Sequence, residues 1–151
     1  MKVAVTGHRP DRIKGREGEI KEWIAEKLQE MRKNGGGVRL ITGMAQGVDQ
    51  IAALAALREN VPVHCYFAYK HKLQGTEEMI ADKAAEVKFL ENRYLGGCFI
   101  RRDRRMVDDC DLLLVVWDGE ENGGTYYTYQ YALKKGVPVL VFDWGTGKEE
   151  V

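Results

Sequence analysis

Apolar strands ending in glycine alternate with amphipathic helices along this 151-residue sequence, and residues 111–117 form a nearly unbroken apolar run. An αβ junction also occurs twice, as residues 56–63 and again as residues 132–139 (helix end, Asn or Gly, then an apolar strand). These three observations predict an α/β, Rossmann-like fold: a doubly wound, mainly parallel sheet with helices on both faces.

Residues 2–6 are short and β-branched and stop at Gly7, which reads as the first strand. Ile20, Trp23, Ile24, Leu28 and Met31 recur at helical spacing until Asn34-Gly35-Gly36-Gly37 ends the pattern. Residues 38–42 make a second strand and the alanine-rich stretch 45–58 a second helix, closed by Asn60. A third strand at 61–67 carries Pro62 near its start, where a missing N–H does least harm. A helix over 76–85, a short strand at 87–90 and a helix over 98–109 follow. The run 111–117 has the pattern of a strand covered on both faces, hence a central one. A helix at 125–135 and a strand at 137–142 complete a single domain over 1–145, with a polar tail at 146–151.

Lysine plus arginine equals aspartate plus glutamate at 23 each, which removes the broad positive field of a protein that grips nucleic acid through phosphates. A local basic patch keeps nucleic acid open, although disfavoured. Three cysteines without CxxC spacing suggest neither a disulfide framework nor a zinc site, and no metal is expected. Lys2 leads straight into Val3-Ala4-Val5 with no signal-peptide pattern, and no apolar stretch reaches membrane-spanning length, so a cytoplasmic protein with no membrane partner is expected.

In an open parallel sheet, ligands bind beyond the carboxyl ends of the strands, where helix N–H groups point outward. Three glycine-bearing turns qualify: Thr6-Gly7-His8-Arg9-Pro10, then Thr42-Gly43-Met44-Ala45-Gln46-Gly47-Val48-Asp49, then the segment from Asp118 through Gly123-Gly124-Thr125. Gly123 and Gly124 offer a phosphate cradle to which Thr125 and Thr128 add hydroxyls, although Gly-Gly-Thr also serves as a plain turn and N-cap. Arg9 suits a phosphate or carboxylate; His8 can stack, donate or titrate, or be a satisfied structural histidine. Asp49, early in a helix, is either a dipole-stabilised carboxylate or an acceptor for ribose hydroxyls, and Asp118 carries the same ambiguity. Within Arg101-Arg102-Asp103-Arg104-Arg105, the pair Arg102 and Arg105, three apart, is the one to reach the cleft. Tyr126, Tyr127, Tyr129 and Tyr131 divide among core, subunit contact and base stacking.

Taken in order, Gly7-His8-Arg9-Pro10, the 42–49 turn, Met106-Val107-Asp108 with residues 112–119, and Gly123-Gly124-Thr125 resemble the YpsA-like branch of the SLOG superfamily across nearly the whole chain. That superfamily includes the DprA single-strand DNA-binding proteins and the LOG phosphoribohydrolases. The resemblance implies a nucleotide or NAD-derived small-molecule ligand, with no cofactor required. The LOG enzymes, similar in fold, use a Pro-Gly-Gly-x-Gly-Thr-x-x-Glu turn whose glutamate assists N-glycosidic cleavage. Here the segment 122–130 has no glutamate after its glycines, which favours binding (sensing or sequestering) over hydrolysis. The alternatives are a nucleotide N-glycoside hydrolase or base-exchange transferase, anchored by Arg102 with Asp49 or Asp118 as acid/base, and single-stranded DNA binding. A homodimer through Trp23, Tyr126 or Tyr127 is a further expectation.

Overall fold

The computed structural model describes residues 1–145 and the backbone of residues 149 and 150. Strands β1 (Lys2–Gly7), β2 (Arg39–Thr42), β3 (Val63–Phe67), β4 (Glu86–Phe89), β5 (Leu112–Val116) and β6 (Val139–Phe142) form one parallel sheet in the order β4-β3-β2-β1-β5-β6. The two-residue β7 (Glu149–Glu150) adds antiparallel to β6, so part of the segment read as a tail extends the sheet; residues 146–148 and 151 lie outside the described residues.

Helices α1 (Glu17–Lys33), α2 (Val48–Arg58) and α3 (Gly75–Lys83) cover one face of the sheet, and α4 (Cys98–Asp109) and α5 (Gly123–Lys135) the other. The strands therefore bury both sides. Val3 and Val5 face α1 and α2, whereas Ala4 faces α4 and α5; Leu112, Leu114 and Val116 alternate in the same way with Leu113 and Val115. Every residue of β5 is buried, as its continuous apolar run predicts.

Helix α1 buries Ile20, Trp23, Ile24 and Leu28, each contributing about 1.5–3 kcal/mol by leaving water. Trp23 lies against the Phe142 ring at 5.4 Å with 4% exposure, so it is core and no subunit contact. Helix α2 begins at Val48 rather than Ala45, because Gly47 takes φ +100° and holds residues 45–47 in the turn. No helix among the described residues is long and apolar enough to cross a membrane.

The chain moves outward from β1 to β2, β3 and β4, then returns to the other side of β1 as β5. The connections after β1 and β5 consequently diverge, opening a crevice between them at the strands' carboxyl ends.

Candidate functional site at the carboxyl edge of the sheet

Three turns meet at this crevice, and short contacts lock them together. After β1 the chain enters a single 3-10 turn, Pro10–Arg12. The His8 carbonyl accepts the first free N–H of α2, from Val48 (3.1 Å), so the β1 turn is fixed to the helix that follows β2. A Cβ on Gly47 would stand 2.3 Å from that carbonyl, and one on Gly7 2.4 Å from the Cβ of Val48. Both positions therefore require glycine for close backbone approach.

In the β2 turn, Met44 is buried at φ +65°. That conformation costs energy and is held by its neighbours: the Met44 carbonyl accepts from Gln50 Nε2 (3.1 Å), and Asp49 Oδ2 accepts the Ala45 N–H (3.2 Å). Thr42, fully buried, donates its hydroxyl to the Asp49 carbonyl (2.8 Å). It braces the turn and lines no part of the cleft, unlike the ligand contact expected from the sequence.

The β5 turn is tied back to β1. The Asp118 N–H donates to His8 Nε2 (3.0 Å), which fixes that nitrogen as the acceptor, and burial holds the imidazole below its ordinary pKa against the opposing Asp118 carboxylate. His8 is thus a neutral connector between turns. Arg12 forks onto the Asp118 carboxylate through Nε (2.9 Å) and Nη2 (2.7 Å). Burial works to raise the Asp118 pKa, but the Glu120 N–H and Arg12 outweigh it and hold the carboxyl low. Asp118 is therefore a paired structural anion outside the cleft, and the acid/base or ligand role expected for it is not supported by its position.

Asn122 stands as N-cap of α5, so Gly123, Gly124 and Thr125 are its first residues rather than a loop before it. Their N–H groups belong to the four that an α-helix leaves free at its start. Thr128 Oγ1 donates to the Gly124 carbonyl (2.7 Å) and lies 3.3 Å from Asp103 Oδ2.

These turns enclose a cavity of about 350 Å³ between the end of β1 and the first turns of α4 and α5, lined by Gly7, His8, Arg9, Asp49, Arg102, Asp103, Gly123, Gly124, Thr125 and Thr128. It adjoins a larger one of about 750 Å³ over β2 and β3, which includes Gly43. Arg9, Ala45, Phe99 and Arg102 line both, so the two chambers form one cleft with arginines at the junction.

Arg102, 7% exposed, donates through Nη1 to the Gly43 carbonyl (2.6 Å) and through Nε to Asp103 Oδ1 (3.0 Å). Arg9 is exposed, and although its carbonyl accepts the Arg12 N–H (3.1 Å), its guanidinium makes no hydrogen bond or ion pair among the described residues. Burial pushes the Asp49 carboxyl up to about 7, against the attraction of Arg102 and with added repulsion from Asp103. Burial likewise raises Asp103 against Arg102.

The expected partnership of Arg102 and Arg105 is not formed. Residues three apart on a helix are offset by about 60°, and while Arg102 turns inward, Arg105 lies outside beside Asp109 (3.0 Å). Asp103 takes the inward place instead. Its signal was present: it stands three and four residues before Met106 and Val107, the buried face of α4. None of the four α5 tyrosines lines the cleft; Tyr126 and Tyr129 pack against Trp117, and Tyr131 donates to Asp108. The aromatic walls come from Phe67, Tyr69 and Phe99, which the sequence did not single out.

Residues 1–73 match the model of the YspA, cpYpsA-related SLOG family. The match takes in just under half of the chain, which over those residues is similar to the YpsA-related SLOG family. A likeness of fold extends beyond the matched residues. DNA processing protein A (DprA) from Streptococcus pneumoniae superposes with a TM-score of 0.72 at 20% identity, over 93% of this chain and 49% of that one. DprA from Helicobacter pylori, whose structure concerns its single-stranded DNA binding mode, gives 0.71 at 21% identity, over 93% and 64%. TM1055 gives 0.65 at 18%, over 97% and 76%. At these identities the likeness shows the fold, and this chain spans about half to two thirds of the length of the DprA chains. No curated protein matches it.

Proposed function

We propose that this chain binds a nucleotide or a ligand derived from NAD or ADP-ribose, sensing or sequestering it in the cleft at the carboxyl edge of the sheet. The observation that carries the reading is the arginine pair: Arg9, unpaired among the described residues, and the buried Arg102 stand together where both chambers meet. Two guanidinium groups beside the free N–H groups of Gly123, Gly124 and Thr125 suit a phosphate-bearing ligand.

A thermal-shift screen with AMP, NAD, ADP-ribose and cyclic dinucleotides tests it. A ligand present at one hundred times its dissociation constant adds about 2.7 kcal/mol of stability. Arg9→Ala removes the shift by deleting a charge. Gly124→Val removes it by filling the cleft, since a Cβ there meets nothing closer than Asp103 Oδ2 at 3.9 Å and the variant folds. Both variants folded and binding with full affinity would refute the site. Single-stranded oligonucleotides belong in the same screen, because the DprA likeness supports that ligand as well; binding abolished by moderate salt is charge attraction alone.

The carboxylates support a second reading, hydrolysis or base exchange at a nucleotide N-glycosidic bond. Asp49, pushed up to about 7, supplies the acid/base group that the glutamate-free 122–130 segment lacks, with Arg102 as anchor. Release of free base from AMP, NAD or ADP-ribose, lost in Asp49→Asn, distinguishes an enzyme from a binding protein.

A further inference from the structure

The anion-attracting groups of the cleft and its buried acids share one chamber. Gly123, Gly124 and Thr125 line the smaller cavity together with Asp49 and Asp103, and Arg9 and Arg102 stand where it meets the larger one. An anion drawn in by the amides and guanidinium groups therefore arrives beside two carboxyl groups. If both were ionised, they would repel it in surroundings that screen charge poorly.

The two acids differ in what they already hold. Asp103 has both oxygens engaged, Oδ1 by Arg102 Nε (3.0 Å) and Oδ2 beside the Thr128 hydroxyl (3.3 Å). The bond to Arg102 favours its ionised form. In Asp49, Oδ2 accepts the Ala45 N–H (3.2 Å), whereas Oδ1 has no donor among the described residues and is not sealed inside the protein. Asp49 is only 8% exposed, so that oxygen opens on the cavity the residue lines. Because Oδ2 is held as an acceptor, a proton on this carboxyl belongs on Oδ1. The charged and titratable groups around the same cavity are His8, Arg9, Asp11 and Arg12 from the β1 turn and Arg102 and Asp103 from α4. Burial and Asp103 favour the neutral form of Asp49 and the arginines oppose it; burial prevails, pushing the carboxyl up to about 7.

Resting on the anion-binding cleft proposed above, we infer that the protein takes up its ligand together with a proton: Asp49 is neutral in the complex and donates through Oδ1 to an anionic oxygen of the ligand. The proton comes from solvent and turns the one repelling oxygen of the chamber into a further donor. Affinity is then level with pH while Asp49 is already protonated in the free protein, and falls as pH rises above about 7, where each binding event must recruit the proton.

Calorimetric titration of the full chain with AMP, NAD and ADP-ribose, whose phosphates are fully ionised at pH 8, tests this in buffers of differing protonation enthalpy. At pH 8 the heat of binding varies with the buffer as expected for about one proton taken up per ligand, and from pH 8 to pH 9 the affinity falls about tenfold. Asp49→Asn, which carries N–H groups in place of the acid's O–H, binds with no uptake and with the same affinity at both pH values. Wild type that takes up no proton overturns the inference whatever the variant does; an ionised Asp49 would then be accepting from a ligand hydroxyl or holding a cation. Uptake that survives Asp49→Asn belongs to another group, Asp103 or the His71 of the larger chamber, and overturns it too. Both results leave nucleotide binding intact, whereas failure of all three ligands to bind at pH 6 and at pH 8 overturns that reading and this one together.

Discussion

Asp49 concentrates the site's electrostatics in one side chain. Its carboxyl is ionised above the ordinary value of 3.8 in the unfolded chain but is pushed up to about 7 in the fold, chiefly by burial. Between those values the folded state holds a proton that the unfolded state has released. The stabilisation associated with that proton is full below the unfolded value and is lost as pH rises through about 7. Asp49→Asn, which mimics the protonated form, is therefore more stable than wild type at pH 8, and its advantage shrinks toward pH 4. Urea denaturation at the two pH values checks this; a difference independent of pH would show that Asp49 ionises normally. Gly47 makes a conformational demand of a different kind. At φ +100° and 2.3 Å from a carbonyl, any Cβ must displace the β1 turn, so Gly47→Ala costs at least about 2 kcal/mol, read from the same denaturation curves.

The turns act as a unit because side chains from one close upon another. Arg12, from the 3-10 turn, is the main tie between the connections after β1 and β5. Arg12→Ala is expected to lower stability by about 1 kcal/mol, the value of a charge-assisted pair discounted for partial exposure. It should weaken ligand binding further by releasing the start of α5, and calorimetry on the variant measures that part. Such ties also set the limit of what was legible in the chain. The strand 111–117 and the apolar stripe of α1 are local patterns, and both elements lie where the patterns put them. The glycine turns at 7, 43–47 and 123–124 were legible for the same reason, since backbone freedom is written in residue type. Partners were not. That Asp118 would be claimed by Arg12 depends on two residues 106 apart meeting in space. The aromatic walls come from the end of β3, the stretch after it and the first turn of α4, three places that no periodicity connects. Arg102 and Arg105 illustrate the middle case, in which helix rotation decides and the buried pair Met106 and Val107 sets that rotation.

At the scale of the molecule, the sheet order β4-β3-β2-β1-β5-β6 makes the cleft inevitable, because the chain's reversal beside β1 parts the loops above it. The pairing of β1 with β5, register Val3↔Leu112 through Gly7↔Val116, sets where the two connections leave the sheet. Leu114, wholly buried at the centre of β5, is expected to cost about 2–5 kcal/mol when replaced by alanine, and calorimetric unfolding of the variant checks it. The central claim is that arginines gathered at this crevice hold an anionic ligand. The most direct test is a crystal of the protein soaked with ADP-ribose. The account predicts phosphate density within hydrogen-bond distance of Arg9 and Arg102, beside the first turn of α5. Phosphate bound instead on the outer face of α4 around Arg104 and Arg105, with the crevice closed by the protein's own side chains, would contradict it.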